Sequence, residues 1–301
     1  MICGHRHYKE ISKFDTTFLY SCNKCGVIFT NKYLIKFNPK DIYETYYKNE
    51  MASRFGFGIE RVIRLFRFFR AFKIFTLYPH AKSILDVGSG RGFMLYYLKR
   101  YYKYRRAAGT QISKNAIEFS INDLGLEIYD KDLLELSMGP SFDIITIWHV
   151  LEHVVEPEKY IEKIFNLLKD NGKLIIEVPN FNSWTRALTK RYWLSLDLNY
   201  HITFFTPESL SLLLKNHGFK IKTIHTYSLE YSAFTSAQSL ISLITRTDCL
   251  FFQYLQTSEF NKQLVLHIFL FILITPICFL INTLLFFSKK GEVLLIVAEK
   301  D

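Results

Sequence analysis

Ser83-Ile84-Leu85-Asp86-Val87-Gly88-Ser89-Gly90-Arg91-Gly92 runs from an apolar pentapeptide into a glycine turn, and a helical pattern opens at Phe93. The order is strand, tight loop, helix. Gly88, Gly90 and Gly92 carry no Cβ to hold a ligand away, so backbone amides at the helix start can reach it, while Asp86 closes the strand with a carboxylate. That suits a cofactor bearing a nucleoside. The spacing D-x-G-x-G-x-G departs from the G-x-G-x-x-G of dinucleotide sites and so disfavours NAD. The plain alternative is an ordinary βα turn of another α/β protein.

Downstream, a second strand ends at Gly109-Thr110-Gln111-Ile112-Ser113, and a third, Leu126 to Tyr129, leads to Asp130-Lys131-Asp132-Leu133. Phe142 to Trp148 reads as a fourth strand passing directly into a helix on which His149, Glu152 and His153 share one face, at i, i+3 and i+4. This puts two imidazoles and a carboxylate at a strand's carboxyl end, where open α/β sheets place their chemistry. Pro157 to Leu168 continues as helix, Asn171-Gly172 turns, Lys173 to Val178 is a fifth strand, and Phe219 to Thr226 is a sixth.

The glycine turn resembles the first motif of class I S-adenosylmethionine (SAM) methyltransferases. The run from Ser83 to Ile224, with Trp193, Leu196, Asp197, His201, Phe205, Thr206, Pro207, Glu208, Leu210 and Gly218-Phe219, is similar to the group that includes ubiquinone-pathway O-methyltransferases and enzymes of surface-glycan and lipid clusters. The resemblance implies an α/β fold: a Rossmann-like class I methyltransferase sheet, mostly parallel with the last strand antiparallel. It implies SAM contacts from Asp86, Gly88, Ser89, Gly90, Gly92, Gln111, Asp132 and Trp148, with Asp86 facing the methionine portion and Asp132 the adenine amino group. Gln111 departs from the family, which has Asp or Glu there to accept from both ribose hydroxyls; the neutral carbonyl of Gln is the weaker acceptor. His149, Glu152, His153 and His201 are the candidate bases for an oxygen nucleophile, against the simpler role of hydrogen-bonding a helix start.

Cys22-Asn23-Lys24-Cys25-Gly26 has knuckle spacing, and Cys3-Gly4 resembles the second half of another knuckle. A tetrahedral structural zinc needs four ligands; Cys3, Cys22 and Cys25 with His5 or His7 are on offer, against a metal-free ribbon held by Phe18, Tyr20 and Phe29. Methyltransferases similar to this one carry an amino-terminal zinc ribbon. From Lys40 to Tyr78 the pattern is helical and basic, with Arg61, Arg64, Arg67, Arg70 and Lys73 at every third residue. Such a row drifts around a 3.6-residue helix, giving a basic cover more than a dedicated binding face.

The strand that should close the sheet, Gly291 to Ala298, comes some sixty residues late. The intervening Leu264 to Phe287 has no charged residue and matches the roughly 20 residues of a membrane span. A single crossing is excluded if both flanks join one sheet. The sequence therefore predicts either a shallow membrane hairpin, with Ser236 to Leu255 as first arm and Leu264 to Phe287 as second, or a soluble helical cap. The expected organisation is a partial ribbon over 1–36, a helical basic cover over 37–80, the SAM-binding core over 81–232, the apolar insertion over 233–289 and the last strand over 290–301.

The chain of 301 residues is 49% apolar and carries a net charge of +10, which points to an acidic partner such as nucleic acid, an anionic membrane or a phosphorylated substrate. Met1 to Glu10 has no apolar signal-peptide core and the five cysteines no disulfide spacing, so the expected setting is cytoplasmic, peripheral or monotopic on the inner face of the cell membrane. The reading is O-methylation of a membrane-associated, lipid-linked or glycan acceptor. A nucleic-acid methyltransferase is disfavoured: Thr146-Ile147-Trp148-His149 stands where base-nitrogen enzymes present Asn/Asp-Pro-Pro-aromatic, and no cysteine nucleophile lies nearby. A non-catalytic SAM-fold membrane scaffold is the third class.

Overall fold

The structure is a computed structural model that describes residues 3, 7–34, 57–257 and 260–301. The chain forms two compact units, one of Met1–Phe37, Glu177–Ser211 and Ile224–Leu295, the other of Asn38–Ile176, Leu212–Thr223 and Ile296–Asp301. In chain order the amino-terminal hairpin is β1 (Tyr8–Phe14) and β2 (Thr17–Cys22), followed by β3 (Ile28–Thr30) and one helical turn, α1 (Asn31–Leu34). Helix α2 (Phe57–Leu77) precedes the alternating elements β4 (Ser83–Val87), α3 (Phe93–Arg100), β5 (Arg106–Thr110), α4 (Lys114–Asn122), β6 (Glu127–Tyr129), β7 (Phe142–Trp148), α5 (Pro157–Leu167) and β8 (Leu168–Pro179). Then come α6 (Trp184–Thr189), β9 (Thr203–Phe204), α7 (Pro207–Asn216), β10 (Phe219–His225), α8 (Ser232–Thr245), α9 (Leu250–Thr257), α10 (Leu264–Leu284) and β11 (Val293–Lys300).

The large sheet has the hydrogen-bonded order β10-β11-β8-β7-β4-β5-β6. β4 is central and runs parallel to both β5 and β7, and β5 parallel to β6. Strands covered on both faces read as near-continuous apolar runs. Ile84, Leu85, Ile144, Ile145 and Ile147 are accordingly sealed from solvent, and truncating any of them to Ala should cost about 2–5 kcal/mol. β11 enters between β10 and β8, antiparallel as expected, so the late strand does close the sheet.

Two local expectations need correcting. β8 begins at Leu168 and not at Lys173; the turn foreseen at Asn171-Gly172 is a bend within it, with Asn171 at φ 59°. The first arm foreseen over Ser236 to Leu255 is not one helix. α8 ends where Arg246 takes a left-handed φ of 58°, and α9 starts afresh at Leu250.

Within the first unit, the turn Asp15-Thr16 joins β1 to β2, with Asp15 at φ 48°, the left-handed geometry two-residue hairpins require. Tyr8, Tyr20 and Phe29 pack ring to ring at 5.1–5.8 Å across the hairpin, and β3 pairs with β9, so the ribbon is part of a four-stranded sheet and not an isolated appendage.

Candidate functional site

The elements of the second unit bring the glycine turn and its neighbours together. β4 delivers Asp86 and then leaves the strand through Gly88 and Gly90, at φ 70° and 56°. A Cβ on Gly88 would stand 2.5 Å from Val150 Cγ2, so only glycine fits; at Gly90 nothing lies within 4 Å, leaving bare backbone beside open space. The turn is pinned from β5: Gly88 N–H donates to Thr110 Oγ1 (3.2 Å) and Ser89 N–H to the Thr110 carbonyl (3.0 Å), while Gly92 N–H returns to the Ser89 carbonyl. A rigid cradle ending on a helix start is what a nucleoside cofactor needs.

Asp86 is almost fully buried and accepts the Thr146 hydroxyl at 2.6 Å. Burial pushes its carboxyl up to about 6, opposed by the Thr146 hydrogen bond and by the charges of Arg70 and Arg67. Those arginines come from α2, and the Arg70 guanidinium lies 3.9 Å from the centroid of the Trp148 ring. Trp148 Nε1 is buried without a hydrogen-bond partner, an open donor at the end of β7. Arg91, inside the glycine turn, pairs with Glu60 of α2 at 3.0 Å and stacks on Phe119 at 3.8 Å. Sequence reading missed this side of the site. The basic row of α2 was visible, but its three-residue spacing gave no sign that Arg67 and Arg70 face Asp86.

Gln111 differs from expectation. Its Oε1 turns back to accept the N–H groups of Ile112 (2.7 Å) and Ser113 (3.0 Å), so the carbonyl stabilises the loop after β5, and the other end of the side chain is the amide NH2, a donor. Gln111→Glu keeps one oxygen for those N–H groups and offers the other as an anionic acceptor. SAM binding by isothermal titration should tighten, by up to about tenfold, or hold constant; a clear loss would show that the donor end is what the ligand uses. Asp132 caps the 3-10 turn Leu133–Glu135 through Leu134 N–H and accepts the Tyr160 hydroxyl, so both carboxylate oxygens already hold protein donors.

The helix foreseen at His149 does not form there. His149 takes a left-handed φ of 53°, and only Leu151–His153 makes a 3-10 turn. The kink swings the His149 ring so that Nδ1 stands 3.4 Å from Glu152 Oε1, with the Glu152 side chain buried and the His149 side chain 20% exposed. Left-handed backbone in a non-glycine residue costs about 1–3 kcal/mol and clusters at functional positions. His153 follows at the end of the same turn, half-buried. His201 belongs to the other unit, where its Nδ1–H donates to the Ser195 carbonyl at 2.9 Å, which leaves Nε2 as the basic nitrogen of the neutral ring.

A separate cluster lies in the first unit. The sulfur atoms of Cys3, Cys22 and Cys25 all stand within 4.8 Å of one another, Cys3 to Cys22 at 3.5 Å. Burial raises the Cys22 thiol, but N–H groups of Cys25 and Lys24 aimed at its sulfur outweigh this and leave it lowered; burial pushes Cys25 up to about 12. Ligands on one zinc, each at about 2.3 Å, would be somewhat under 4 Å apart, so the three thiols fit such an ion. His5 lies outside the described residues. His7 is beside the knuckle, its carbonyl accepting Asn23 N–H at 3.1 Å.

A family model described as "Methyltransferase domain" matches residues 59–224, more than half of the chain. A ubiquinone biosynthesis O-methyltransferase of Coxiella burnetii is 31% identical over 107 residues, 34% of this chain and 45% of that protein. A probable (S)-tetrahydroprotoberberine N-methyltransferase of Papaver bracteatum is 24% identical over 123 residues, 38% of this chain and 34% of that one. The alignments thus span less than half the length of these curated relatives. Among solved structures, a putative sarcosine dimethylglycine methyltransferase from Galdieria sulphuraria superposes with a TM-score of 0.51 at 14% identity, covering 87% of this chain and 98% of that one, a likeness of fold alone.

Proposed function

Since the chain belongs to the methyltransferase-domain family, we propose that it transfers the methyl group of SAM to a hydroxyl of a membrane-associated, lipid-linked or glycan acceptor. The observation that carries the cofactor is the glycine cradle beside buried Asp86, with bare backbone at Gly90 and the unpartnered indole N–H of Trp148 at the neighbouring strand end. SAM brings an electrophilic methyl on a positively charged sulfur, and such a transfer needs alignment and proton removal more than covalent help. Asp86 meets the cationic methionine end, and the turn at Gly88–Gly92 lies under the nucleoside.

His149 is the base. Its ring stands beside the buried Glu152 carboxylate, Nδ1 at 3.4 Å from Oε1, and the neutral imidazole is the group that takes the proton of an acceptor hydroxyl. Oxygen is favoured over nitrogen as the acceptor atom because an imidazole beside a buried carboxylate suits deprotonation, which an amine nucleophile with a free lone pair does not require. The test is incubation of purified protein with labelled SAM and a membrane extract, followed by separation of lipid, glycan and RNA. Label in a lipid, lipid-linked or glycan fraction supports the reading; label in RNA alone would replace it with nucleic-acid methylation, and SAM binding without transfer would favour a scaffold.

The three cysteines are assigned to a structural zinc completed by His5 or His7. Purified protein should carry about one zinc per chain by elemental analysis, and Cys22→Ser should lose it and lower the stability of the ribbon. Full metal-free protein with an unchanged melting temperature on chelation would remove the ion.

A further inference from the structure

The structure offers a large surface that methyl transfer does not use. α10 packs one face on α8 through Cys278 and Asn282, and Leu264 and His267 are buried with them. Its opposite face is open and apolar apart from Thr283, whose hydroxyl is tied to the Phe279 carbonyl: Val265, Phe269, Ile272, Ile277, Leu280 and Leu284 are each more than half exposed, Leu284 by 75%. The helix has 21 residues and is about 31 Å long, so the stripe is continuous over that length. Water-facing apolar patches of this extent are rare on soluble monomers.

We infer that the outer face of α10 is a docking surface for an anionic lipid bilayer, lying in the membrane plane instead of crossing it. The in-plane geometry follows from how the helix is fastened. At its carboxyl end Asn282 Nδ2 donates to Ser236 Oγ (3.0 Å), and Thr226 N–H and hydroxyl donate to the Phe286 and Leu285 carbonyls. At its amino end His267 Nε2 and Thr247 Oγ1 lie 3.0 Å apart. Between these ends Ala233 and Ala237 of α8 pack against Cys278. α8 is no lipid-inserted arm: its Ser236 and Ser239 are buried and bonded to Thr185 Oγ1 and Leu194 N–H of the same unit. A helix held along its length to a polar, folded unit cannot cross a bilayer without dragging that unit in. It can, however, sink its free face to the depth of the acyl boundary.

Charge selects lipid over a second copy of the chain. From Phe260 to Gly291 there is no acidic residue, while Lys262 precedes the helix and Lys289 and Lys290 follow it. A symmetric helix-on-helix dimer would bring these cations against one another, Lys262 against Lys289 and Lys290 when antiparallel and like against like when parallel. An anionic headgroup layer neutralises all three. The consequence for the acceptor, that it is drawn from the membrane, rests on the methyl-transfer reading; the docking does not.

The experiment is flotation of the full-length protein with vesicles of phosphatidylcholine alone or mixed with phosphatidylglycerol. The wild type should float with both and more completely with the anionic mixture. Lys289→Gln with Lys290→Gln should lower partitioning to the anionic vesicles by about tenfold or more, and Ile272→Asn with Ile277→Asn should abolish flotation while SAM binding persists. Protein that stays at the bottom of both gradients, or a double Asn variant that floats undiminished, overturns the inference. So does a detergent-free dimer by light scattering that the Asn variant converts to monomer without either binding vesicles. Should the Asn variant fail to fold, the lysine pair still decides: no loss on anionic vesicles refutes the headgroup contact. Vesicle binding with no SAM binding would refute methyl transfer and leave the docking surface standing.

Discussion

Asp86→Ala should weaken SAM binding by roughly 10- to 100-fold, because a hydrogen bond involving a charged group contributes about 1.5–3 kcal/mol and each 1.4 kcal/mol is tenfold in affinity. The same residue sets a pH dependence. Asp86 is raised from the usual carboxylate range to about 6 by burial, against the Thr146 hydrogen bond and Arg70 and Arg67. Between about pH 4 and pH 6 the folded chain therefore holds a proton that the unfolded chain has released, so stability falls as pH rises through that window and stays reduced above it. About two pKa units correspond to a penalty on the order of 2–3 kcal/mol. Asp86→Asn should consequently melt higher than the wild type at neutral pH while binding SAM more weakly, a trade of stability for a ready anion. In the wild type, SAM affinity should decline as pH drops below about 6; in Asp86→Asn it should be flat there. Titration calorimetry at two pH values reads both effects. Unchanged affinity in Asp86→Ala would dismiss the assignment of this carboxylate to the ligand.

The core of the fold was legible because parallel strands covered on both faces are near-continuous apolar runs, and Ser83 to Val87 and Phe142 to Trp148 are such runs, interrupted only by Asp86, Asp143 and Thr146 between their apolar residues. The late closing strand was legible for the same reason. Elements whose character depends on neighbours distant in sequence were not. α8 reads as an apolar arm from its composition, yet it is a buried core helix whose serines bond to Thr185 and Leu194, partners some fifty residues upstream. α10, by contrast, keeps one apolar face open, and only the structure shows which face.

The site divides the same way. Asp86 and the glycine turn follow from local chain geometry, which a motif encodes directly. The turned-back carbonyl of Gln111, the capping bonds of Asp132 and the stacking of Arg70 on Trp148 depend on side-chain direction, which residue type leaves open. His149, Glu152 and His153 were expected to share one face of a helix. The left-handed kink at His149 breaks that helix and nonetheless brings the His149 ring to Glu152.

That kink decides how the base should be tested. Replacing His149 with a residue that resists positive φ would confound lost chemistry with lost backbone geometry, whereas Asn tolerates the left-handed region well. His149→Asn should therefore leave SAM affinity and melting temperature nearly unchanged while lowering kcat for the acceptor by about 10²–10⁴-fold, the usual contribution of a positioned general base. Glu152→Gln retains size but removes the carboxylate that stands 3.4 Å from His149 Nδ1, so its kcat should fall by less. The pH profile separates base from scaffold. In the wild type kcat should fall at low pH, where the imidazole is protonated, and in His149→Asn this acid limb should vanish, leaving slow turnover that depends only on the acceptor's own hydroxyl. A structural role predicts a different pattern, with lower stability or SAM affinity and an acid limb that survives. If kcat in His149→Asn stays within about twofold of the wild type, the assignment of proton removal to His149 is overturned and His153, at the end of the same 3-10 turn, becomes the next residue to replace.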